Sequence, residues 1–221
     1  MAYQIALFDL DGTITDSEPV ITACVNSTLR ELGYPEQTAQ ELPRWVGPPL
    51  AVSFAEYAHV HADLIEDTIA TYRRHYRQSM YDCEVFPQVR ECLQQLKTAG
   101  VRLAVATSKR ENYALPIIQF LDLERYFEVV AGALSDSPTY TKSTVIADAL
   151  RRLDVPTQGP DRENMRIVMI GDRHHDIDGG RDNGLDTIGI TWSGTDPSEF
   201  TQATAVVRTA QELVDVILAA N

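Results

Sequence analysis

The sequence predicts an α/β fold: a Rossmann-like, doubly wound parallel sheet with helices on both faces and a small all-helical cap inserted after the first strand. Three observations carry that expectation. Short apolar runs, each ending in polar or glycine-containing sequence, alternate with longer amphipathic stretches, the rhythm of strand and crossover helix. The rhythm breaks once, between the first run and Pro87, where roughly seventy residues show only helical periodicity. Polar, acid-rich clusters follow the carboxyl ends of several runs, the edge at which ligands bind in an open α/β sheet.

The elements follow in chain order. The first strand is expected over residues 3–8 and leads into Asp9. In the insertion, Ile21, Cys24, Val25, Thr28, Leu29 and Leu32 share one helical face and stop at Gly33. Leu64, Ile65, Ile69, Tyr72, Tyr76 and Met80 give a second face, and the two prolines of Gly47-Pro48-Pro49-Leu50 make a stiff loop between them. The joints fall near 15–18 and 81–87, which divides the chain into a core of residues 1–15 and 88–221 and a cap of residues 16–87. The core then continues with helix 89–99, strand 101–106, helix 113–121, strand 127–131, helix 142–153, strands 166–170 and 187–190, and a last helix near 210–219.

Composition narrows the function. Thirty-two acidic against 19 basic residues give a formal charge of −13, which argues against a nucleic-acid polymer or an anionic membrane as the main partner. With 44% hydrophobic residues in 221, the chain can bury a substantial core. Cys24, Cys83 and Cys92 lack paired metal-ligand spacing, so they read as buried small hydrophobes in a reducing cytosol. The N-terminus has no basic, apolar leader pattern and no run approaches the ~18 apolar residues of a membrane span, so a cytoplasmic location is expected, as monomer or homodimer. Only three of the cations are lysines, Lys97, Lys109 and Lys142, so the place of each asks for a reason.

The strand-end clusters suggest the chemistry. Asp9 and Asp11 are two positions apart and can point to one side of an extended strand end. Asp172 and Asp176, spaced i, i+4, are expected on one face of a helix's first turn. Carboxylates gathered so closely repel unless a cation offsets them, and a hard, oxygen-preferring ion such as magnesium suits the set. Thr107 and Ser108 offer hydroxyl donors, Lys142 a point charge, and Gly12 a close backbone approach. Together they suit phosphoryl transfer, in which positioning and charge neutralisation supply most of the rate. Each cluster alone has a plainer reading. Asp-x-Asp-Gly occurs in turns and calcium loops, Thr107-Ser108-Lys109 and Gly171-Asp172 could be helix caps, and Lys142 a solvated helix residue. Their joint occurrence after successive strands favours a site.

Phe8-Asp9-Leu10-Asp11-Gly12-Thr13, Ala106-Thr107-Ser108, Lys142 and Gly171-Asp172 through Asp176 resemble the four motifs of the haloacid dehalogenase-like hydrolases. The resemblance is to the phosphoglycolate phosphatase and 5′-nucleotidase-like branch with a helical cap. The loop at Gly47 and the stretch from Asn183 to Trp192 add to it, whereas the segment before Lys142 lacks the expected glycine. The resemblance implies that Asp9 attacks phosphorus to form an aspartyl-phosphate, while Asp11 protonates the leaving oxygen and later activates water. It implies Mg2+ on the Asp9 side chain, the Asp11 carbonyl and Asp172, with Asp176 acting through water. Thr107, Ser108, Lys142, Gly12 and Thr13 would bind the phosphoryl group, and Asp11 favours phosphate esters over carbon–halogen bonds.

Substrate choice is expected from the cap, with Arg44, Trp45 and Gly47 nominated and Lys109 added from the core. Arg44 could equally be a surface arginine and Trp45 a core residue. His174 and His175 are not expected to bind magnesium, since oxygen ligands suffice. The reaction expected is Mg-dependent hydrolysis of a small phosphorylated metabolite. A sugar-phosphate mutase is the alternative, and a non-enzymatic phospho-acceptor a third. The cap is expected to move at its joints and exclude water during transfer.

Overall fold

The computed structural model describes residues 2–135 and 140–219. The irregular segment before Lys142 therefore lies mostly outside the described residues. β1 (Ile5–Phe8) is buried at every position because both of its faces are covered. Ala6 and Phe8 face one hydrophobic cluster, and Ile5 and Leu7 face another. β2 (Thr15–Asp16) follows, then α1 (Glu18–Leu32), α2 (Leu50–Tyr57), α3 (Ile65–Ser79) and β3 (Glu84–Val85). The core resumes with α4 (Val89–Thr98), β4 (Arg102–Arg110), α5 (Glu111–Phe120), β5 (Val129–Ala133), α6 (Lys142–Arg152) and the short α7 (Pro160–Glu163). It ends with β6 (Ile167–Gly171), α8 (His174–Asp182), β7 (Asp186–Ile190), β8 (Ala205–Val207) and α9 (Ala210–Leu218).

Six strands form one sheet in the order β5-β4-β1-β6-β7-β8, and every neighbouring pair is parallel. α4 and α9 cover the face to which Ala6 and Phe8 point, and α6 covers the other. This is the doubly wound, Rossmann-like α/β architecture. The central strand β1 has β4 and β6 on either side, so the carboxyl ends of all three adjoin.

α1, α2 and α3 enclose a second core around Val25, Leu29, Trp45, Phe54 and Tyr72. α1 stops where Gly33, at φ 76°, turns the chain and donates its N–H to the Arg30 carbonyl. Thr15 and Asp16 of β2 pair antiparallel with Val85 and Glu84 of β3 and close the base of this helical unit. α5 spans both cores: Ala114 and Ile118 pack on the sheet, and Ile117 packs into the helical unit.

Several expectations change. The stretch before Pro87 is not wholly helical, since β2 and β3 are strands of two residues each. β4 runs four residues past the expected end at 106, with a register shift between Thr107 and Arg110. Leu32 and Leu64, expected on the buried faces, are 39% and 47% exposed because each sits at a helix end. Cys24, Cys83 and Cys92 are free and buried, as expected. Among the described residues no helix is long and apolar enough to cross a membrane.

Phe54 is fully buried at the centre of the helical core, so Phe54→Ala should cost about 3–5 kcal/mol. Because that core is separate, hydrogen exchange should quicken in α1–α3 while the amides of β1 and β4 keep their protection. Equal loss of protection in both parts would contradict two separable cores.

Candidate active site

Asp9 stands one residue beyond β1, and its N–H donates to the Ile170 carbonyl at 2.9 Å, which continues the β1–β6 ladder. Asp172 stands one residue beyond β6, and Asp176 lies in the first turn of α8. One carboxylate oxygen from each of these buried acids lies within 4.8 Å of the others. Lys142, the first residue of α6, lies between two of them, with Nζ 2.8 Å from Asp9 Oδ1 and 2.7 Å from Asp176 Oδ1. It also donates to the Ala106 carbonyl at 3.2 Å. α6 starts there because the Thr141 hydroxyl caps it, accepting the Thr144 N–H.

The chain stays extended at Arg173, with φ −129° and ψ 155°, so α8 begins only at His174. Asp172 therefore precedes the helix, contrary to the expected shared first turn. The acids still meet, because the Asp176 carboxylate folds back to accept the Arg173 N–H at 3.0 Å. Two glycines make room. A Cβ on Gly12, which sits at φ +81°, would lie 2.3 Å from Asp172 Oδ2. A Cβ on Gly171 would lie 2.0 Å from the Asp176 side chain.

Asp11 forms a second centre. Its Oδ1 accepts from the Ser17 hydroxyl at 2.6 Å and from Lys109 Nζ at 2.8 Å, and its Oδ2 lies 2.7 Å from the same ammonium. Lys109 comes from the irregular end of β4, where its N–H is tied to the Thr107 hydroxyl at 3.2 Å. One cavity opens onto Asp9, Asp11, Thr107, Ser108 and Lys109. Its opposite wall comes from the helical unit: the loop at Gly47, Pro48 and Pro49, with Tyr72, Arg73 and Tyr76 of α3.

The residues nominated from the sequence are thus placed unevenly, and three depart from expectation. Thr13 donates its hydroxyl to Asp172 Oδ1 at 3.2 Å, so it orients an acid of the cluster. Trp45 is 1% exposed and packs edge-on against Phe54 and Tyr57, which makes it a core residue that closes the cavity from behind. Arg44 does not line the cavity that holds Asp9 and Asp11, but a second one shared with Gly12, Asp172 and Arg173. Its guanidinium donates to Gln37 at 2.8 Å and lies 4.5 Å from the Tyr57 ring centre. His174 Nδ1 lies 3.2 Å from Glu199 Oε2, outside the acid cluster. Ser17 and Tyr76 join the site without a mark in the sequence, since both act through partners distant in the chain or in another element.

Burial dominates the titration of Asp9 and Asp172. It raises Asp9 to about 6, with Lys142 pulling downward and Asp176 upward, and it holds Asp172 well above the ordinary carboxylate range. Burial also works against the Lys142 ammonium, but Asp176 and Asp9 hold it above its usual value. Asp9, Asp11, Asp172 and Asp176 bring four carboxyl groups to a site in which Lys109 and Lys142 supply two ammonium groups. A divalent cation fits that imbalance, and the donors gathered are hard carboxylate oxygens.

The acid-rich cluster thus lies at the carboxyl ends of the strands of a doubly wound sheet, the edge at which such folds bind their ligands. Residues 6–190 match the family described as haloacid dehalogenase-like hydrolase, and the chain belongs to that family. It is 37% identical over 195 residues to the tyrosine-protein kinase PtkA of Mycobacterium tuberculosis, a match covering 86% of this chain and 62% of that protein. The chain thus spans under two thirds of that relative's length. It is 32% identical over 191 residues to a 5′-nucleotidase of Pseudomonas aeruginosa, covering 86% of this chain and 83% of that one. The crystal structure of a predicted phosphatase from Clostridium acetobutylicum matches with a TM-score of 0.89 at 32% identity, covering 99% of each chain.

The raised Asp9 and Asp172 make the metal-free protein pH-sensitive. Each holds its proton more tightly folded than unfolded, so the stabilisation present below the ordinary carboxylate pKa is lost as pH rises, for Asp9 through about 6. Asp172→Asn removes one such acid, and with it the cost of keeping it protonated or ionising it in the buried site, so it should raise the neutral-pH melting temperature of metal-free protein by roughly 2–4 °C per kcal/mol relieved. It should also flatten the fall in melting temperature between about pH 4 and 7. A lower melting temperature for the variant would contradict the charge imbalance.

Proposed function

We propose that this chain hydrolyses phosphate monoesters of small metabolites, with Mg2+ as cofactor and a phosphoryl group carried briefly on Asp9. The supporting observation is the pairing of two differently held carboxylates on one cavity: Asp9 beside Lys142, and Asp11 held by Lys109 and Ser17. The Asp9 carboxylate attacks phosphorus as the bond to the ester oxygen breaks, and Asp11 gives that oxygen its proton. Asp11 then takes a proton from the water that attacks phosphorus, releasing inorganic phosphate and restoring Asp9. Thr107, Ser108, Lys142 and the backbone at Gly12 and Thr13 bind the phosphoryl oxygens. Asp9, the Asp11 carbonyl and Asp172 would hold the ion, with Asp176 acting through water. Once bound, the ion supplies the positive charge that lets a phosphate dianion approach the acids.

Residues 16–87 act in this reading as a cap that moves at the β2–β3 base, admits substrate and then excludes water. The loop at Gly47, with Tyr72 and Arg73 of α3, selects the alcohol, and phosphoglycolate or a nucleoside monophosphate are the first classes to try. The identity with PtkA supports a second reading, in which a tyrosine hydroxyl receives the phosphoryl group.

Asp9→Asn keeps the side-chain shape but removes the nucleophile, so phosphate release should fall at least ~1,000-fold with the fold intact. Retained release would end the proposed mechanism. Label passing from ATP to tyrosine without release of phosphate would favour the kinase reading. Dependence on a bisphosphate activator would favour a mutase, and a persistent aspartyl-phosphate without turnover a phospho-acceptor.

A further inference from the structure

Lys109 is a candidate substrate contact by sequence, yet its ammonium is committed elsewhere. It lies 2.7 and 2.8 Å from the two Asp11 oxygens, and its side chain is 8% exposed. The residues it joins are distant in sequence: Asp11 follows β1, and Lys109 lies at the end of β4. On its other side the ammonium lies 4.8 Å from the centre of the Tyr76 ring, which belongs to α3 of the helical unit. Tyr76 is fixed in turn, stacked on Tyr72 at 5.8 Å between ring centres and edge-on to Tyr113 of α5 at 5.6 Å. Ser17, at the entry to α1, gives Asp11 a further contact. Asp11 is thus gripped by one group from the sheet and one from the helical unit, and the sheet's group is itself covered by a ring from α3.

We propose that Lys109 is a positioning residue for Asp11, and that Tyr76 makes this positioning depend on the helical unit being seated against the sheet. The inference rests on the phosphatase reading, in which Asp11 handles the leaving-group proton. When the helical unit is seated, Tyr76 lies against the Lys109 ammonium and holds it on Asp11, so the carboxyl oxygen stays aimed at the ester oxygen. When it lifts, the ammonium loses the ring, the Ser17 contact loosens, and Asp11 is free to turn. Proton delivery is thereby confined to the closed, water-excluding state. No atom of Lys109 or Tyr76 bonds to substrate, and the proton passes only between Asp11 and the ester or water oxygen.

Leaving-group dependence separates this role from a structural one. A 4-nitrophenolate leaves without help, whereas an alkoxide needs its proton, so misplaced Asp11 should hurt alkyl esters selectively. Values of kcat/KM, which report the transfer onto Asp9, are compared for glycerol 2-phosphate and 4-nitrophenyl phosphate with added Mg2+. Lys109→Met should lose about 10–100-fold on the alkyl ester, up to the lower end of a full acid–base contribution because Asp11 itself remains, and less than about threefold on the aryl ester. Lys109→Arg should recover much of the alkyl activity, and Tyr76→Leu should shift the ratio in the same direction as Lys109→Met. Equal losses on both esters would overturn the inference, as would a rise confined to KM, which would return Lys109 to substrate binding. If Lys109→Met fails to fold, the same ratio measured for Tyr76→Leu decides. Retained hydrolysis by Asp9→Asn would overturn the phosphatase reading itself, whereas uniform losses in the Lys109 and Tyr76 variants would leave that reading standing.

Discussion

Lys142 holds together two buried carboxyl groups from separate elements, with its ammonium between them. Its ammonium reaches Asp9 from the end of β1 and Asp176 from the first turn of α8, while its backbone starts α6. Three separate elements are thereby drawn to one point beyond the central strand. A buried carboxylate without such a partner costs several kcal/mol, so the acid cluster exists because this cation is placed within it. The compensation is incomplete: burial and the neighbouring acids hold Asp172 well above the ordinary carboxylate range, and its oxygen stays within reach of Asp9 and Asp176 in a group that could hold a metal ion.

The second lysine divides the labour. Lys142 serves the acids at the sheet edge, while Lys109 serves Asp11 on the cavity wall facing the helical unit. Two neighbouring aspartates thus have different surroundings: Asp9 lies among buried acids, and Asp11 lies between a hydroxyl and an ammonium beside aromatic rings. Environments that differ in this way let one carboxylate act as nucleophile while the other carries protons. The helical unit contributes more than a roof, because Ser17 and Tyr76 reach the residues that would handle the proton.

The core strands are legible in the sequence because a parallel sheet covered on both faces requires unbroken apolar runs, and Ile5–Phe8 and Ile167–Gly171 are such runs. The four acids are legible because each closely follows a strand or lies in the first turn of the helix after it. β8 leaves no periodic signal, because it is three residues long at the sheet edge, with Val206 44% exposed. β2 and β3 exist only through pairing with each other across the whole helical unit. The start of α8 departs from its expected place because a side-chain contact, Asp176 to the Arg173 N–H, sets it. The same applies to Lys109, Trp45 and Arg44: their partners Asp11, Phe54 and Gln37 are fixed by tertiary packing that sequence spacing does not record.

If Asp9 receives the phosphoryl group, the acyl phosphate formed there can be trapped chemically. Protein quenched with sodium borohydride during turnover, then digested and read by mass spectrometry, should carry homoserine at position 9, the product of reducing an acyl phosphate at that side chain. Reduction at Asp11, Asp172 or Asp176 instead, or at no residue while phosphate is being released steadily, would remove Asp9 from its role as nucleophile.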